Sequence, residues 1–415
     1  MENRKIKVGV IGVRRGDMMI RYCEKADNAE LVAICDKWEE GLAKSKERHG
    51  DHVTYYASYD EFLTHDMDVV VLANYANEHA PFAVKAMKAG KDVISEVLPV
   101  QTMAEAVELV ETVEQTGRKY CYLENYCYMP APREMRRLYR EGKIGEIEYA
   151  EGEYVHNCEP IWPFITYGER DHWRNLMYST YYCTHSIGPL VHITGKRPIK
   201  VIGFEHPFAE LNARMGSLSG LFGLEIMTLE GGAIFKSIHG DLYKNSIWYT
   251  VYGSKGRMET AREDAFQGDI SRIYVNATKE AGDYSKEGEI FENYCPTDEH
   301  SELAAEFGHG GSDFYSMYNA IEYLRGNPDA DIIDVYEAMD MFLPGLFGYL
   351  SILEGNKQLD IPDMRDKSVR ELYRNDRRCS DPKVAGDQLL PANAQGTPDI
   401  PDEIYEKIKG IWDKR

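Results

Sequence analysis

The sequence predicts an α/β fold in two parts: a doubly wound α/β domain on a parallel sheet, then an α+β domain on a large, open, mainly antiparallel sheet. Three observations predict it. Short apolar runs and amphipathic stretches alternate through the first 128 residues, a pattern that implies right-handed crossovers. A glycine turn, "GVRRGD", joins the first apolar run to the first amphipathic stretch, and Asp36 follows at the end of the second run. From residue 146 onward, long β-rich runs are separated by turns such as "LEGGA" and "GSKG", as in antiparallel sheets.

In the first part, "IKVGVI" (6–11) is rich in β-branched residues and reads as a buried parallel strand. A helix is expected over 17–26, a second strand over "AELVAICD" and a helix over 37–48. "MDVVVLAN", "KDVISEV" and "KYCYLENY" supply the third to fifth strands. The helices between them are "EHAPFAVKAMKAG" and "TMAEAVELVETVEQTG", with Thr102 as N-cap of the latter. In the second part, "EMRRLYREGKIGEI" starts as a short helix. Strands follow in "EIEYAEGEYVHN", "IKVIGFEH", "GLFGLEIMTLEGGAIFKSIHGD", "SIWYTVYGSKGRMETAR" and "SRIYVNAT". Helices are expected in "SDFYSMYNAIEYLRGNP" and "DVYEAMDMFLPGLFGYLSILEG". Domain boundaries are expected at 1–128 and 129–362, with 363–415 as a wrapping extension.

Composition narrows the partners. The 415 residues carry a net charge of −21, which disfavours nucleic acid and anionic membranes, both of which need basic surface. The eight cysteines contain no C-x-x-C pair, as expected of reduced thiols in a cytoplasmic protein. No apolar run nears the roughly 20 residues of a membrane span, and the first residues are polar, so no signal segment is expected. A small-molecule ligand and self-association are the expected partnerships. The second requires the open sheet to cover one apolar face.

The first turn departs from G-x-G-x-x-G: Gly12 and Gly16 flank Arg14 and Arg15. It reads either as a Rossmann-type site with an altered phosphate loop or as a plain strand and turn. Asp36 favours the first, because an acid at the end of the second strand accepts hydrogen bonds from an adenosine ribose and disfavours a 2′-phosphate. NAD rather than NADP is the expected cofactor. Arg14 and Arg15 are either pyrophosphate ligands or solvent-exposed turn residues.

The stretch from Met67 to Val97, with His79 before its helix and "AGK" at 89–91, and the later "EGKIGEI" resemble the Gfo/Idh/MocA oxidoreductase family. That family follows a Rossmann domain with an open antiparallel sheet. Its sugar dehydrogenases carry Glu-Lys-Pro after the fourth strand and an aspartate four residues before a histidine. Here Glu96 is followed by Val97, and Tyr181 precedes His185 by four. These departures resemble glycoside hydrolase family 109, a branch that hydrolyses glycosides with bound NAD. Shared with it are Glu96-Val97, "LENY" (123–126), Tyr182 to Pro189, "EGEYVHN" and "HGGSDF".

The resemblance implies catalytic roles for Glu124, Tyr182, His185 and His309 and sugar contacts for Tyr154 and His156. It implies a further contact near "GSKG", where Asn245 is the nearest match and Tyr243 lies two residues earlier. Gly12, Arg14, Arg15, Gly16, Asp36, Asn74, His79 and Glu96 would hold the cofactor. Trp162 and Trp173 are of the type that packs on apolar sugar faces. The branch's chemistry oxidises sugar C3, which acidifies the C2 proton. A base removes that proton, the group at C1 leaves, water adds and the hydride returns.

Each residue also has a structural alternative: a strand-end cap for Glu124, core tyrosines for Tyr154 and Tyr182, a helix-terminal histidine for His185. His156, Cys158 and His172 match no metal-ligand spacing, so no metal is expected. The expected function is a redox-assisted glycosidase or a 3-keto-glycoside-forming oxidoreductase. The alternatives are a plain NAD-dependent sugar or polyol dehydrogenase and a non-catalytic sugar or nucleotide sensor.

Overall fold

The computed structural model describes residues 4–263 and 270–415. The chain divides into two compact units, each assembled from separated segments. The first comprises Met1–Met129, Asp298–Met339 and Met364–Asn375, and the second Pro130–Thr297, Asp340–Asp363 and Asp376–Arg415. This differs from the linear boundaries expected at 128 and 362. Residues 298–339 pack with the N-terminal sheet, and the C-terminal segment is shared between the units.

The first unit is built on β1 (Ile6–Ile11), β2 (Ala29–Cys35), β3 (Thr54–Tyr56), β4 (Val69–Leu72), β5 (Asp92–Glu96) and β6 (Tyr120–Leu123). All pairings are parallel, in the order β3-β2-β1-β4-β5-β6. Strand order reverses between β1 and β4, and the crevice at the carboxyl ends there is where doubly wound sheets bind ligands. The five expected strands are present. β3 is an additional three-residue edge strand. The helix Met103–Thr116 starts at Thr102, whose hydroxyl accepts from Glu105 N–H at 3.1 Å.

The second unit holds β7 (Ile147–Val155), β8 (Pro198–His206), β9 (Phe222–Leu229), β10 (Ile234–Gly240), β11 (Ser246–Gly253), β12 (Gly256–Thr260), β13 (Ile273–Thr278), β14 (Glu289–Tyr294) and β15 (Leu359–Asp360). They form one sheet in the order β14-β13-β12-β11-β7-β10-β9-β8-β15. Every pairing is antiparallel except β7–β10, which is parallel.

The helix Thr184–Thr194 packs on β7, β10 and β11. Gly152 of β7 makes that approach possible, because a Cβ there would lie 2.0 Å from the Ser186 carbonyl oxygen. On the other face, Phe204, Ile226, Ile234 and Tyr252 alternate with buried neighbours and are exposed. Among the described residues no helix is long and apolar enough to cross a membrane.

Candidate functional site

Site residues gather in two clusters, one in each unit. In the first unit the β1 turn is tight. Gly12 has φ +102°, and a Cβ on it would lie 2.2 Å from the Ala73 carbonyl oxygen, so only glycine fits. Asp36 stands just past β2. One carboxylate oxygen accepts from Val13 N–H at 2.8 Å and the other from Trp38 N–H at 2.8 Å, which ties the turn to the end of the second strand. Past β4, Asn74 and Asn77 each keep a buried amide oxygen with no hydrogen-bond partner among the described residues. Buried acceptors of this kind call for a donor. Hydroxyl-rich and amide-bearing nucleotides supply such donors, so these residues fit a dinucleotide at the β1/β4 reversal.

His79 is buried, with Nδ1 2.8 Å from the Leu98 carbonyl oxygen. Burial pushes it down to about 4, so it is a neutral ring that orders the backbone after β5. Glu124 is fully buried at the end of β6 and caps the turn Asn125–Tyr128, accepting from Tyr126 N–H at 3.4 Å. Arg14 is exposed.

Arg15 is engaged elsewhere than in a bare turn. Its guanidinium lies 2.7 Å from Glu96 and donates two parallel hydrogen bonds, of 3.0 and 2.8 Å, to Asp313. Asp313 in turn takes His309 Nδ1 at 3.0 Å. Burial pushes Glu96 up, and Arg15 partly offsets this. Burial pushes Asp313 the same way, but His309 and Arg15 together hold it well below the usual carboxylate range.

The second unit's cluster is aromatic. Tyr154 on β7 lies opposite His239 on β10 in register. Their rings stack at 5.7 Å and 6°. His185, in the first turn of the helix Thr184–Thr194, sits 4.6 Å from the Tyr154 ring and 4.9 Å from Tyr182. Trp173 stacks on Tyr182 at 6.2 Å and 13°. Arg174 lies over both Trp173 and Tyr182, at 4.3 and 5.4 Å. Its guanidinium makes no hydrogen bond or ion pair among the described residues.

His239 Nδ1 contacts the Ser179 carbonyl oxygen at 3.0 Å. A carbonyl only accepts, so Nδ1 carries the proton and Nε2 keeps its lone pair. Burial, with a smaller contribution from His185, lowers His239 to about 4. At the cluster's margin His156 Nδ1 lies 3.3 Å from the Cys158 thiol. Cys158 N–H donates to Asp241, which burial raises to about 6.

The structure thus brings together Tyr154, His156, Trp173, Tyr182 and His185 in one unit, and Arg15, Glu96 and His309 in the other. Tyr243 and Asn245 stand apart from the cluster. Tyr243 is 69% exposed with Lys244 over its ring, and the Asn245 amide oxygen accepts from Asn157 N–H, a loop-tying role. Trp162 is a core residue bonded to Asn175. Sequence reasoning missed Arg174 and His239. The signal for His239 was available: Phe235, Ser237 and His239 occupy the buried positions of β10, and two of these three are polar. Among the described residues no group of three metal-ligating side chains is found.

Comparison with known proteins also finds two parts, although the second matched stretch runs across residues 298–339, which pack in the first unit. The family model for the oxidoreductase family, NAD-binding Rossmann fold (Gfo/Idh/MocA), matches residues 6–124, and that for the glycosyl hydrolase 109 C-terminal domain matches residues 200–369. A glycosyl hydrolase family 109 protein of Solibacter usitatus is 27% identical over 403 residues, covering 87% of this chain and 88% of the relative. One from Porphyromonas gingivalis is 26% identical and covers 86% of this chain and 84% of the relative. Among solved structures, scyllo-inositol dehydrogenase from Lactobacillus casei with bound NAD(H) and scyllo-inositol superimposes with a TM-score of 0.66 at 18% identity, covering 86% of this chain and 99% of that one. An Agrobacterium radiobacter oxidoreductase in complex with NAD+, L-tartaric acid and magnesium gives 0.68 at 13% identity, covering 86% and 99%. The chain therefore joins an NAD-binding Rossmann domain of the Gfo/Idh/MocA oxidoreductase family to a C-terminal domain of glycosyl hydrolase family 109, and NAD is its cofactor.

Proposed function

We propose that the protein is an NAD-dependent enzyme acting on a glycoside, in which transient oxidation of the sugar ring permits the aglycone to leave. The observation that carries the reading is the aromatic cluster of Tyr154, Trp173, Tyr182, His185 and His239, with Arg174 laid over two of its rings. Relatives similar along most of the chain bear the name glycosyl hydrolase family 109, which agrees with it.

Bound NAD supplies a hydride acceptor and donor; the chain's residues supply the rest. Gly12, Asp36 and Asn74 would hold the cofactor at the reversal between β1 and β4. Trp173 and Tyr182 offer flat apolar faces to a sugar ring. Arg174 directs its donors at a polar ring substituent. Tyr154 and His185, in ring contact with each other, move the proton at sugar C2. The neutral His239 holds Tyr154 by stacking, and its Nε2 lone pair accepts a hydroxyl hydrogen bond. An elimination needs one group to take the C2 proton and another to assist departure of the group at C1.

Val97 favours this reading over a plain dehydrogenase. It stands, largely buried, where sugar dehydrogenases of the resembled family carry a lysine. The decisive experiment incubates the protein with aryl glycosides of both anomers in heavy water and follows aglycone, NADH absorbance and isotope content together. Aglycone release without NADH accumulation, and deuterium at C2, are expected. One NADH per sugar with unlabelled C2 would establish the plain dehydrogenase instead.

A further inference from the structure

Arg15 occupies the turn after β1, where the sequence leaves it either a pyrophosphate ligand or a solvent-exposed turn residue. Its guanidinium is instead committed to two carboxylates. Glu96 at the end of β5 approaches within 2.7 Å, and Asp313 takes both fork nitrogens in a bidentate pair. The Asp313 side chain is fully buried, in the first turn of the helix Ser312–Leu324. The same Asp313 oxygen that accepts from Arg15 also meets His309 Nδ1 at 3.0 Å.

His309 is held in an unusual backbone state. It has φ +53°, and Gly310 and Gly311 follow at +64° and +92°. A non-glycine residue in that region persists only where its surroundings over-determine it. Its side chain is 42% exposed, although Nδ1 is tied inward. An ionised carboxylate accepts and cannot donate, so Nδ1 carries a proton and Nε2 is the nitrogen left to exchange one. This is the logic by which a buried aspartate fixes a histidine tautomer in hydrolase triads.

We propose that Arg15 is a positioning residue for His309, acting through Asp313, and not a ligand of the cofactor phosphates. With Arg15 in place, Asp313 stays ionised and aligned beside Glu96. Without it two buried carboxylates lie close together with no cation between them. One of them then takes up a proton, and a protonated Asp313 no longer selects the Nδ1–H form of His309. The turn thus contributes a proton-orienting device to the unit that binds NAD. The proposal rests on the reading that His309 handles protons.

The test needs no substrate, so a failure of the glycosidase reading leaves it readable. Protein labelled with 15N-histidine is examined by long-range 1H–15N correlation with and without NAD, and the His309 signals are assigned with His309→Gln. NAD affinity is measured by fluorescence titration on the same samples. The wild type should show His309 predominantly as the Nδ1–H tautomer. In Arg15→Gln and Asp313→Asn the ratio of tautomers should fall by about tenfold, the loss expected for one charge-assisted hydrogen bond. The NAD dissociation constant of Arg15→Gln should stay within about threefold of wild type, less than loss of a phosphate contact would produce.

The opposite pattern, an unchanged tautomer ratio with an affinity loss of about tenfold or more, makes Arg15 a phosphate ligand and overturns the proposal. Should Arg15→Gln fail to fold, the uncharged Arg15→Met is read in the same way, and an unaltered ratio in that variant also overturns the proposal.

Discussion

The two clusters hold a histidine by opposite physical means. In the first unit His309 is oriented by charge: a buried carboxylate, itself pinned by an arginine fork and flanked by a second carboxylate. In the second unit His239 is oriented by stacking on Tyr154 and Tyr182, His185 meets Tyr182 edge-on, and the ordering hydrogen bond of His239 goes to a neutral carbonyl. The difference teaches what each arrangement can tolerate. A charged clamp keeps its own groups ionised, whereas an aromatic box expels charge, as the lowering of His239 to about 4 shows. A site meant to receive a polar but uncharged ring suits the second arrangement. A group meant to keep one tautomer through repeated proton transfers suits the first.

The comparison breaks most sharply at His185. His185→Ala should lower turnover by about 10²–10⁴-fold, the usual loss for an acid–base group. NAD binding, measured by fluorescence titration, should be nearly unchanged because the residue belongs to the aromatic unit. Turnover within a few-fold of wild type would remove His185 from the chemistry.

A second test contrasts Glu225 with Glu96, two buried carboxyls of which only the latter has a cation at hand. Glu225 of β9 is fully buried, with Ser237 donating to one oxygen at 3.0 Å, and burial raises it to about 8. The folded state therefore binds a proton that the unfolded state releases above about 4.5. Stability is fully present below that pH and is lost as pH rises towards 8, by an amount on the order of 5 kcal/mol. Thermal unfolding between pH 5 and 8 should show a steeper decline for wild type than for Glu225→Gln. Parallel curves for the two would refute the assignment.

Asp36 sharpens the contrast from the charged side. Replacing it with Ala should weaken NAD binding by about tenfold, one charge-assisted contact, and narrow the preference over NADP. Calorimetry with both cofactors reads this directly, and a wild-type protein that binds NADP more tightly would cancel the role given to Asp36. The smallest effect is expected at Arg374, whose exposed pair with Glu111 at 2.8 Å also joins elements of the first unit. Arg374→Ala should change unfolding free energy by under about 1 kcal/mol, as surface ion pairs do.

Strand alternation, the glycine turn and Asp36 made the parallel sheet legible in the sequence, because each is a local pattern repeated at short range. β3 escaped because three residues carry no periodicity, and β14 because its burial pattern alternates only between exposed and half-buried. The discontinuity of the units was not legible. It depends on residues 298–339 packing with strands that end by residue 123, as the hydrogen bond between Tyr122 N–H and the Ile333 carbonyl illustrates. Tyr154, Tyr182 and His185 were legible through a family resemblance. The partner of Arg15 was not, since Asp313 lies 298 positions away. Arg174 gave no signal at all, being one surface-type residue beside a tryptophan.

The single parallel pairing in the second sheet has a practical consequence. Strands that run the same way end at the same edge, so β7 and β10 deliver Tyr154 and His239 side by side and then release two loops, beginning at His156 and Asp241, from one rim. Those loops are short and already bonded to one another through Cys158, Asn157 and Asn245. An engineer seeking a new specificity could exchange them as a matched pair, like the bits of one tool, while the strands beneath keep their register and the rings stay where they are.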